Sequence, residues 1–337
     1  MLKFHAPLFA SLLLLSGAAI AQSPIVMKIA TVAPEKTPWD RLLREYKKNV
    51  EAKTGGRISV KVYTGGTKGD ENDTVLKTRR GELQAVGAST GAIGSIVTEL
   101  NVIELPYLFK SFREADAVLD NVVSSRLDPI LRGYGFVLGF WSENGFRHFG
   151  TRDGFVKAPS NLKGKKMRSQ ESKVHLETWK AFSASPTPVP TTETLTALEN
   201  KTVDGFDQAL LFMIAASWHT TVKYVTLSSH IYQPALIVFN KAWFDGLPAD
   251  LQKILMDEGR ALQPKGRTAV RALNKKLVEL LTSPEVGVQV HQLTADERTT
   301  FETAARGVRA TLRADPKMPK AGLELLDAIE AYLKTFK

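Results

Sequence analysis

Short apolar runs alternate with segments of helical periodicity along most of the chain. Residues 25–30 predict a first strand, and apolar side chains at helical spacing over residues 39–50 predict the helix that follows. Residues 58–62 alternate between apolar and polar, as in a half-buried strand, and residues 235–239 are almost all apolar, as in a strand buried on both faces. This alternation predicts an α/β fold with largely parallel sheets.

Helical periodicity continues from residue 249 to residue 282, well beyond the length of an average helix. Only Pro264 interrupts this segment, and we expect it to kink the helix because proline removes one backbone hydrogen bond. The length of 337 residues suggests two domains. No linker-like or low-complexity segment separates them, so the chain should cross between the domains more than once.

The first 21 residues are predicted to form a secretory signal peptide. Lys3 supplies a basic start, residues 8–15 are almost entirely apolar, and Ala19-Ile20-Ala21 matches the A-x-A cleavage pattern. The apolar run is shorter than the ~20 residues that a membrane-spanning helix needs. We therefore expect cleavage after Ala21 and export of a soluble protein to the periplasm.

Composition removes several classes of function. The chain contains no cysteine, which excludes disulfides, thiolate metal sites and cysteine nucleophiles. Its histidines lack metal-ligand spacing, and no glycine motif for a dinucleotide or a nucleoside triphosphate is present, so we expect no metal and no cofactor. A net charge of +10 would suit nucleic acid, an anionic membrane or a small anion, and the export signal argues against nucleic acid.

The segment Gly87-Ala88-Ser89-Thr90-Gly91 follows a predicted strand and matches the G-x-S-x-G pattern of serine hydrolases. A periplasmic hydrolase with Ser89 as nucleophile is therefore one reading of the chain. The other reading is a tight turn that places Ser89 and Thr90 at the carboxyl end of a strand, where α/β proteins bind ligands. No His-Gly oxyanion segment precedes the motif, which favours the second reading.

Three further polar side chains stand at or just after the ends of predicted strands: Arg147, Arg168 and Gln208. A guanidinium group in a cleft is the natural partner of a carboxylate, because its planar fork can donate two parallel hydrogen bonds. The two arginines therefore favour an acidic small-molecule ligand.

Several short motifs occur in one order along nearly all of the chain after residue 24, and together they resemble the periplasmic solute-binding subunits of tripartite ATP-independent periplasmic (TRAP) transporters of the DctP type. The most specific is Asn161-Leu162-Lys163-Gly164-Lys165-Lys166-Met167-Arg168. The other motifs are residues 29–34 with Pro38-Trp39, 53–58, 105–109, 144–147, 184–190 and 203–205.

The resemblance implies a clamshell of two α/β domains with a cleft between them and a long helix that spans both. One domain would comprise residues 24–144 and 234–272, and the other residues 145–233 and 273–337. It also implies a binding protein rather than an enzyme, with a small organic acid anion and the integral membrane subunits of a TRAP transporter as partners. We expect the protein to be a monomer.

The resemblance also implies roles for the polar candidates. Arg168 matches the arginine that receives the ligand carboxylate, and Arg147 matches a second arginine that some members use. Gln208 stands where many members have Asn followed by Pro, and here it is followed by Ala209. The longer side chain and the missing proline weaken the expectation of a four-carbon dicarboxylate or a sialic acid as ligand.

Asp207, if it faces the cleft, would accept a hydrogen bond from the ligand and repel a second carboxylate. The hypothesis is therefore a small monocarboxylate: a 2-hydroxy acid, an aromatic acid, a pyroglutamate-like lactam or, if Asp207 points away, a 2-oxo acid. Capture should occur by closure of the domains around the ligand. The remaining candidates for the cleft walls are Thr31, Ser89, Thr90, Trp39, Phe212 and Tyr232.

Overall fold

A computed structural model describes residues 23–336. The predicted signal peptide and its cleavage site after Ala21 lie outside the described residues, which include no helix that is long and apolar enough to cross a membrane. The strands are β1 (Ile25–Ala30), β2 (Ile58–Tyr63), β3 (Ala85–Ser89), β4 (Phe136–Thr151), β5 (Lys166–Ser169), β6 (Ser185–Pro188), β7 (Gly205–Ala209), β8 (Tyr224–Leu227), β9 (Tyr232–Asn240) and β10 (Gln289–Gln292).

Helices connect most of these strands, as the sequence predicts. The α-helices are α1 (Pro38–Lys53), α2 (Glu71–Arg79), α3 (Thr90–Ile93), α4 (Phe112–Val118), α5 (Ser124–Gly133), α6 (Lys173–Ala181), α7 (Thr194–Glu199), α8 (Leu210–Ala215), α9 (Lys241–Asp245), α10 (Ala249–Arg271), α11 (Asn274–Leu281), α12 (Ala295–Ala314) and α13 (Lys320–Thr335). A π-helical turn (Leu119–Val123) joins α4 to α5, and 3-10 turns cover Thr98–Glu104, Pro159–Leu162, Thr191–Glu193 and Trp218–Thr221.

The strands form one continuous sheet in the order β2-β1-β3-β9-β4-β7-β5-β6, and β8 joins β4 to β10. The pairs β1–β2, β1–β3, β5–β6, β5–β7 and β8–β10 are parallel. Every antiparallel pair involves β4 or β9. The prediction of parallel sheets therefore holds except at these two central strands, which connect the two halves of the molecule.

The strand β4 belongs to both halves. Its first part pairs with β9, and Arg147 to Thr151 pair with β7. Near the end of the pairing with β9 lies a register shift between Glu143 and Gly145, where Gly145 has a φ of +106°. Side chains other than glycine rarely adopt this conformation, so glycine is required at the point where the chain crosses from one half to the other.

Each half has its own hydrophobic core on both faces of its part of the sheet. In the first half, α1 and α10 cover one face, and the segment from α3 to α5 covers the other. In the second half, α8 and α11 pack on one face, and α6 and α12 pack on the other. The C-terminal helix α13 packs against the first half, around the turn Thr98–Glu104.

The long helical segment near the C-terminus is present and extends from one half to the other. Helix α10 continues through Pro264 and ends at Arg271, and α11 begins at Asn274. Helix α10 packs against α1 and β4 in the first half, and α11 packs against α8 and β10 in the second. The helix tolerates Pro264 because the loss of one hydrogen bond is small beside the packing along its buried face.

Candidate functional site

A cavity lies between the two halves of the molecule. Its walls come from the loop after β1, the ends of β3, β5 and β7, and the crossing segments of β4 and β9. Seven of the predicted site residues line it: Thr31, Trp39, Ser89, Arg147, Arg168, Gln208 and Phe212.

Arg168 enters the cavity wall from the end of β5 and is only 1% exposed. Its Nε donates to the carbonyl oxygen of Val189 at 3.0 Å, and one Nη donates to the hydroxyl of Thr191 at 3.2 Å. The other Nη makes no hydrogen bond to any of the described residues. The guanidinium group stands 5.1 Å from the ring of Trp218. Because neutral groups hold it, its charge is not cancelled by a direct carboxylate partner.

Burial and the neighbouring guanidinium of Arg147 lower the pKa of Arg168 to about 10. The group still carries its charge at neutral pH. A buried cation that keeps an unused donor is a receptor for an anion, since desolvated charges are stable only when they are paired.

Arg147 is equally buried, but its donors are occupied by the protein. Nε binds the carboxylate of Asp207 at 2.5 Å, and one Nη binds the backbone oxygen of Asp207 at 2.6 Å. The other Nη is shared between the side-chain oxygens of Gln233 at 2.7 Å and Gln208 at 3.2 Å. Arg147 therefore stabilises the wall of the cavity and has less capacity for a ligand than Arg168.

Asp207 lies behind the wall rather than in it. Its carboxylate binds Arg147 and the Nε2 of His230, which is 3.2 Å away. Burial opposes ionisation, but these two neighbours hold the pKa of Asp207 well below its usual range. The expectation that Asp207 faces the ligand is corrected: the neighbouring Arg147 attracts the carboxylate away from the cavity.

Thr90 and Tyr232 also do not line the cavity. The hydroxyl of Thr90 lies within hydrogen-bond distance of the carboxylate of Glu104 and the carbonyl oxygen of Pro234. The Tyr232 hydroxyl donates to Glu143 at 3.0 Å, and its ring packs in an aromatic cluster of the first half. Both side chains leave the cleft because buried partners are available for their hydroxyl groups.

Ser89 does not have the surroundings of a hydrolase nucleophile. Its hydroxyl donates to Glu71 at 3.0 Å and accepts from the amide of Gln170 at 2.7 Å. It also caps the short helix α3 by accepting from the backbone N–H of Ala92. No histidine of residues 23–336 hydrogen-bonds to it. The hydrolase reading is therefore not supported, because general-base activation of serine needs such a partner.

Five polar residues of the cavity wall were not among the predicted site residues: Glu71, Asn144, Gln170, Thr191 and Gln233. Glu71 begins α2, Gln170 follows β5, and Gln233 lies on the returning strand β9. Asn144 stands three residues before Arg147, and Gln170 two after Arg168, so position near a predicted arginine was a usable signal for both. No signal in the sequence marked Glu71.

Among residues 23–336, Glu71 is the one carboxylate in the wall of this cavity. Burial and the nearby charge of Asp70 raise the pKa of Glu71 to about 7. Hydrogen bonds from Ser89 and the charge of Arg168 oppose this rise. The amide of Gln170 reaches it from the other half of the molecule at 3.2 Å. Glu71 is thus a buried hydrogen-bond acceptor beside the buried cation Arg168.

Hydrogen bonds join the two halves around the rim of the cavity. The backbone N–H of Thr192 donates to Asp70 at 3.1 Å, and the amide of Asn72 donates to Glu171 at 2.7 Å. Deeper in the cleft, Gln170 contacts Ser89 and Glu71 of the first half. The structure is therefore the closed form of the clamshell.

Comparison with known proteins gives the family. The model of bacterial extracellular solute-binding protein, family 7 (DctP), matches residues 29–313. The chain belongs to the DctP family. A solute-binding protein of Verminephrobacter eiseniae is 36% identical over 242 residues, which are 72% of this chain and 72% of that protein. The 2,3-diketo-L-gulonate-binding periplasmic protein YiaO of Escherichia coli is 29% identical over 283 residues, which are 83% of this chain and 84% of that protein.

Solved structures of TRAP periplasmic solute-binding proteins share this two-domain fold. The sugar acid binding protein DctPAm of Advenella mimigardefordensis, in complex with galactonate, superposes with a TM-score of 0.86 at 27% identity, over 92% of this chain and 99% of that one. A TRAP protein of Polaromonas bound to D-erythronate gives 0.85 at 25% identity, over 91% and 98%. The predicted family and fold class are therefore confirmed.

Proposed function

We propose that this DctP protein captures a small hydroxylated monocarboxylate in the periplasm and delivers it to the membrane subunits of a TRAP transporter. The observation that carries the proposal is the buried guanidinium of Arg168, which has an unused donor in the cavity between the two halves. The ligand carboxylate would accept from this donor, and the free amide nitrogen of Gln208 would supply a second one.

The other polar groups of the cavity support a hydroxylated ligand. Glu71 accepts hydrogen bonds and would favour a ligand hydroxyl, whereas a second carboxylate would be repelled by it. A 2-hydroxy acid meets both demands. Glu71 already accepts hydrogen bonds from Ser89 and Gln170, and a 2-oxo acid or an aromatic acid without a hydroxyl would offer it no further donor.

The relatives support the same ligand class. Galactonate, D-erythronate and 2,3-diketo-L-gulonate are the acids named for three proteins that resemble this chain over most of its length. Each carries one carboxylate and several oxygen substituents. A C4-dicarboxylate-binding relative also exists, the DctP of Rhodobacter capsulatus at 27% identity, so the distinction between one and two carboxylates needs a direct test.

Binding should stabilise closure. A ligand that contacts Arg168 in one half and Glu71 in the other binds the closed form more tightly than the open form, and only such a difference shifts the equilibrium. Without an anion, Arg168 carries an unpaired buried charge in the closed form. The empty protein should therefore open and expose the site to solute.

The test combines a ligand panel with Arg168→Ala. Lactate, D-erythronate, galactonate and succinate are screened by thermal shift, and the affinity of each ligand that binds is measured by calorimetry. Removal of Arg168 should weaken binding by about 3–5 kcal/mol, the scale for breaking a buried charge pair. Arg168→Lys should also bind poorly, since an ammonium group cannot reproduce the planar fork.

Arg152→Ala is the matched control, because Arg152 also donates to backbone carbonyl oxygens but lies away from the cavity. It should leave the affinity unchanged. The proposal is wrong if only succinate raises the melting temperature, or if Arg168→Ala keeps its fold and binds as tightly as the wild type.

A further inference from the structure

The side chain of Gln170 crosses the cleft. The residue follows β5 in the second half of the molecule, and its amide nitrogen bonds to the first half. This nitrogen donates to the hydroxyl of Ser89 at 2.7 Å and to the carboxylate of Glu71 at 3.2 Å. Gln170 is only 7% exposed, so both bonds form away from bulk water. They can exist only while the two halves are in contact.

The turn from Ser89 to Gly91 leaves room for the amide of Gln170. A Cβ added at Gly91 would stand 3.0 Å from the Oε1, 3.1 Å from the Cδ and 3.2 Å from the Nε2 of Gln170. Glycine therefore allows the amide to lie directly against the start of α3. The serine of the G-x-S-x-G pattern accepts from Gln170, and the second glycine of that pattern provides the space.

A chain of polar neighbours fixes which end of the Gln170 amide faces the turn. Arg147 can only donate, so it binds the side-chain oxygen of Gln233, at 2.7 Å. The nitrogen of Gln233 then donates to Glu104 and to the side-chain oxygen of Gln170, both at 2.8 Å. The nitrogen of Gln170 is consequently left to face the first half. Arg147 and Glu104 thus set the direction of both amides.

The amide of Gln170 has no donor left for an anionic ligand, although the residue lines the cavity. An amide nitrogen carries two hydrogens, and these are directed to Ser89 and Glu71. The amide oxygen accepts from Gln233 and keeps one free lone pair, which would repel a carboxylate. Gln170 therefore serves the contact between the halves rather than the acid group of a ligand.

We infer that Gln170 is the latch of the cleft: its amide docks on the turn from Ser89 to Gly91 when the halves close, and it thereby retains a bound ligand. Gln170 is a positioning residue, and Arg147 acts on it through Gln233. The inference rests on the proposed function, since the latch acts on the site described there. A contact that exists only in the closed form raises the closed fraction, and the affinity rises with it.

Energy transfer between two fluorescent labels measures the closed fraction directly. The chain contains no cysteine, so Lys61→Cys in β2 and Glu199→Cys in α7 place one label at an exposed position of each half. Single-molecule measurements give the ratio of closed to open molecules, first without ligand and then with an excess of lactate, D-erythronate or galactonate. The ligand-free measurement does not depend on which acid is the ligand.

Three variants and one control test the latch. Gln170→Ala should lower the ratio about 5- to 30-fold, as expected for the loss of two hydrogen bonds. Gly91→Ala should also lower it, although Gly91 does not line the cavity, because the added methyl group displaces the amide. The double variant should fall no further than Gln170→Ala, since the amide that the methyl group meets is then absent. Gly133→Ala, at an exposed helix end with open space around it, should leave the ratio unchanged.

Gln170→Glu tests the direction of the amide without a change in side-chain size. It keeps the acceptor for Gln233 and replaces the donor by an oxygen, which would face the carboxylate of Glu71. Two carboxylates in one site repel each other, so this variant should open the cleft at least as strongly as Gln170→Ala. A ratio equal to that of the wild type would contradict a role for the donor.

The outcomes separate the latch from the proposed function. The latch is overturned if Gly91→Ala keeps the wild-type ratio, or if the effects of Gly91→Ala and Gln170→Ala multiply in the double variant. The proposed function fails if none of the acids changes the ratio in the folded wild type, and the ligand-free ratios of the variants still decide whether Gln170 is the latch. If the wild type shows no closed molecules with or without acid, both are overturned.

Discussion

Two buried arginines in one cavity wall have different roles because of the groups around them. Arg147 faces a carboxylate and two amide oxygens, so it is neutralised and fixed. Arg168 faces a carbonyl and a hydroxyl, so its charge has no direct counterion. Side-chain identity alone does not distinguish the two residues. We propose that these surroundings make Arg168 the anion receptor and Arg147 the support of the wall.

Glu71 gives a prediction at the residue scale about how the stability of the folded protein depends on pH. Its pKa in the folded protein, about 7, is above the ordinary value of 4.5. Between these values the folded state binds more protons than the unfolded state, so stability falls as pH rises through this window and the loss is complete above it. Glu71→Gln cannot ionise, so it should remove that loss.

Urea unfolding of the wild type and of Glu71→Gln at about pH 4.5 and about pH 8.5 measures the effect. The variant should gain stability relative to the wild type at the higher pH, on the order of 3 kcal/mol, and little at the lower one. A stability difference that is the same at both pH values would contradict the assignment of a buried, reluctantly ionised acid.

At the scale of elements, the strand β4 combines the two halves into one sheet. It pairs with β9 on one side of the crossing point and with β7 and β8 on the other. The register shift at Gly145 allows the strand to change direction without loss of its partners. The crossing between the halves therefore requires the positive φ of Gly145, which side chains other than glycine rarely adopt.

Gly145→Ala tests this requirement. A Cβ at this position would meet nothing closer than 3.8 Å, so space is available and the cost should be backbone strain at φ +106°, about 1–3 kcal/mol. Gly307→Ala is the control, because Gly307 lies in helix α12 with open space around it and should be stabilised by about 1 kcal/mol. Thermal unfolding measures both. Equal effects of the two substitutions would reject the special conformation of Gly145.

At the scale of the whole molecule, affinity depends on how well the two halves close as well as on the ligand contacts. The pair Asn72–Glu171 lies at the rim and joins the halves without lining the polar cavity. Its loss should destabilise the closed form only, because the two residues are apart when the cleft opens. Ligand affinity should then fall although no ligand contact has changed.

Asn72→Ala should weaken ligand binding by about 0.5–1.5 kcal/mol, the net value of one hydrogen bond. Asn121→Ala is the matched control, since the amide of Asn121 bonds only within the first half, to Ala117 and Tyr332. Calorimetry with the tightest ligand of the panel compares the two variants. If both lower the affinity equally, the rim contact has no part in closure.

Local patterns determined much of the fold. The strand predicted at residues 25–30 is β1, the long helical segment after residue 249 is present as α10 and α11, and the strand over 235–239 lies within β9. These features follow from the spacing of apolar residues, which depends only on neighbours in the chain. The same reasoning predicted largely parallel sheets, and the pairs that depart from this are those of β4 and β9, the strands shared by the two halves.

The sequence by itself determined the family, the α/β elements and two arginines as candidates for an acidic ligand. Only the tertiary structure decided which side chains face the cleft. It turned Asp207 towards Arg147, withdrew Thr90 and Tyr232 into buried hydrogen bonds, and placed Glu71 beside Arg168 from a distant part of the chain. The direction of a polar side chain depends on which partners the fold brings within hydrogen-bond distance, and such partners are far apart in the sequence.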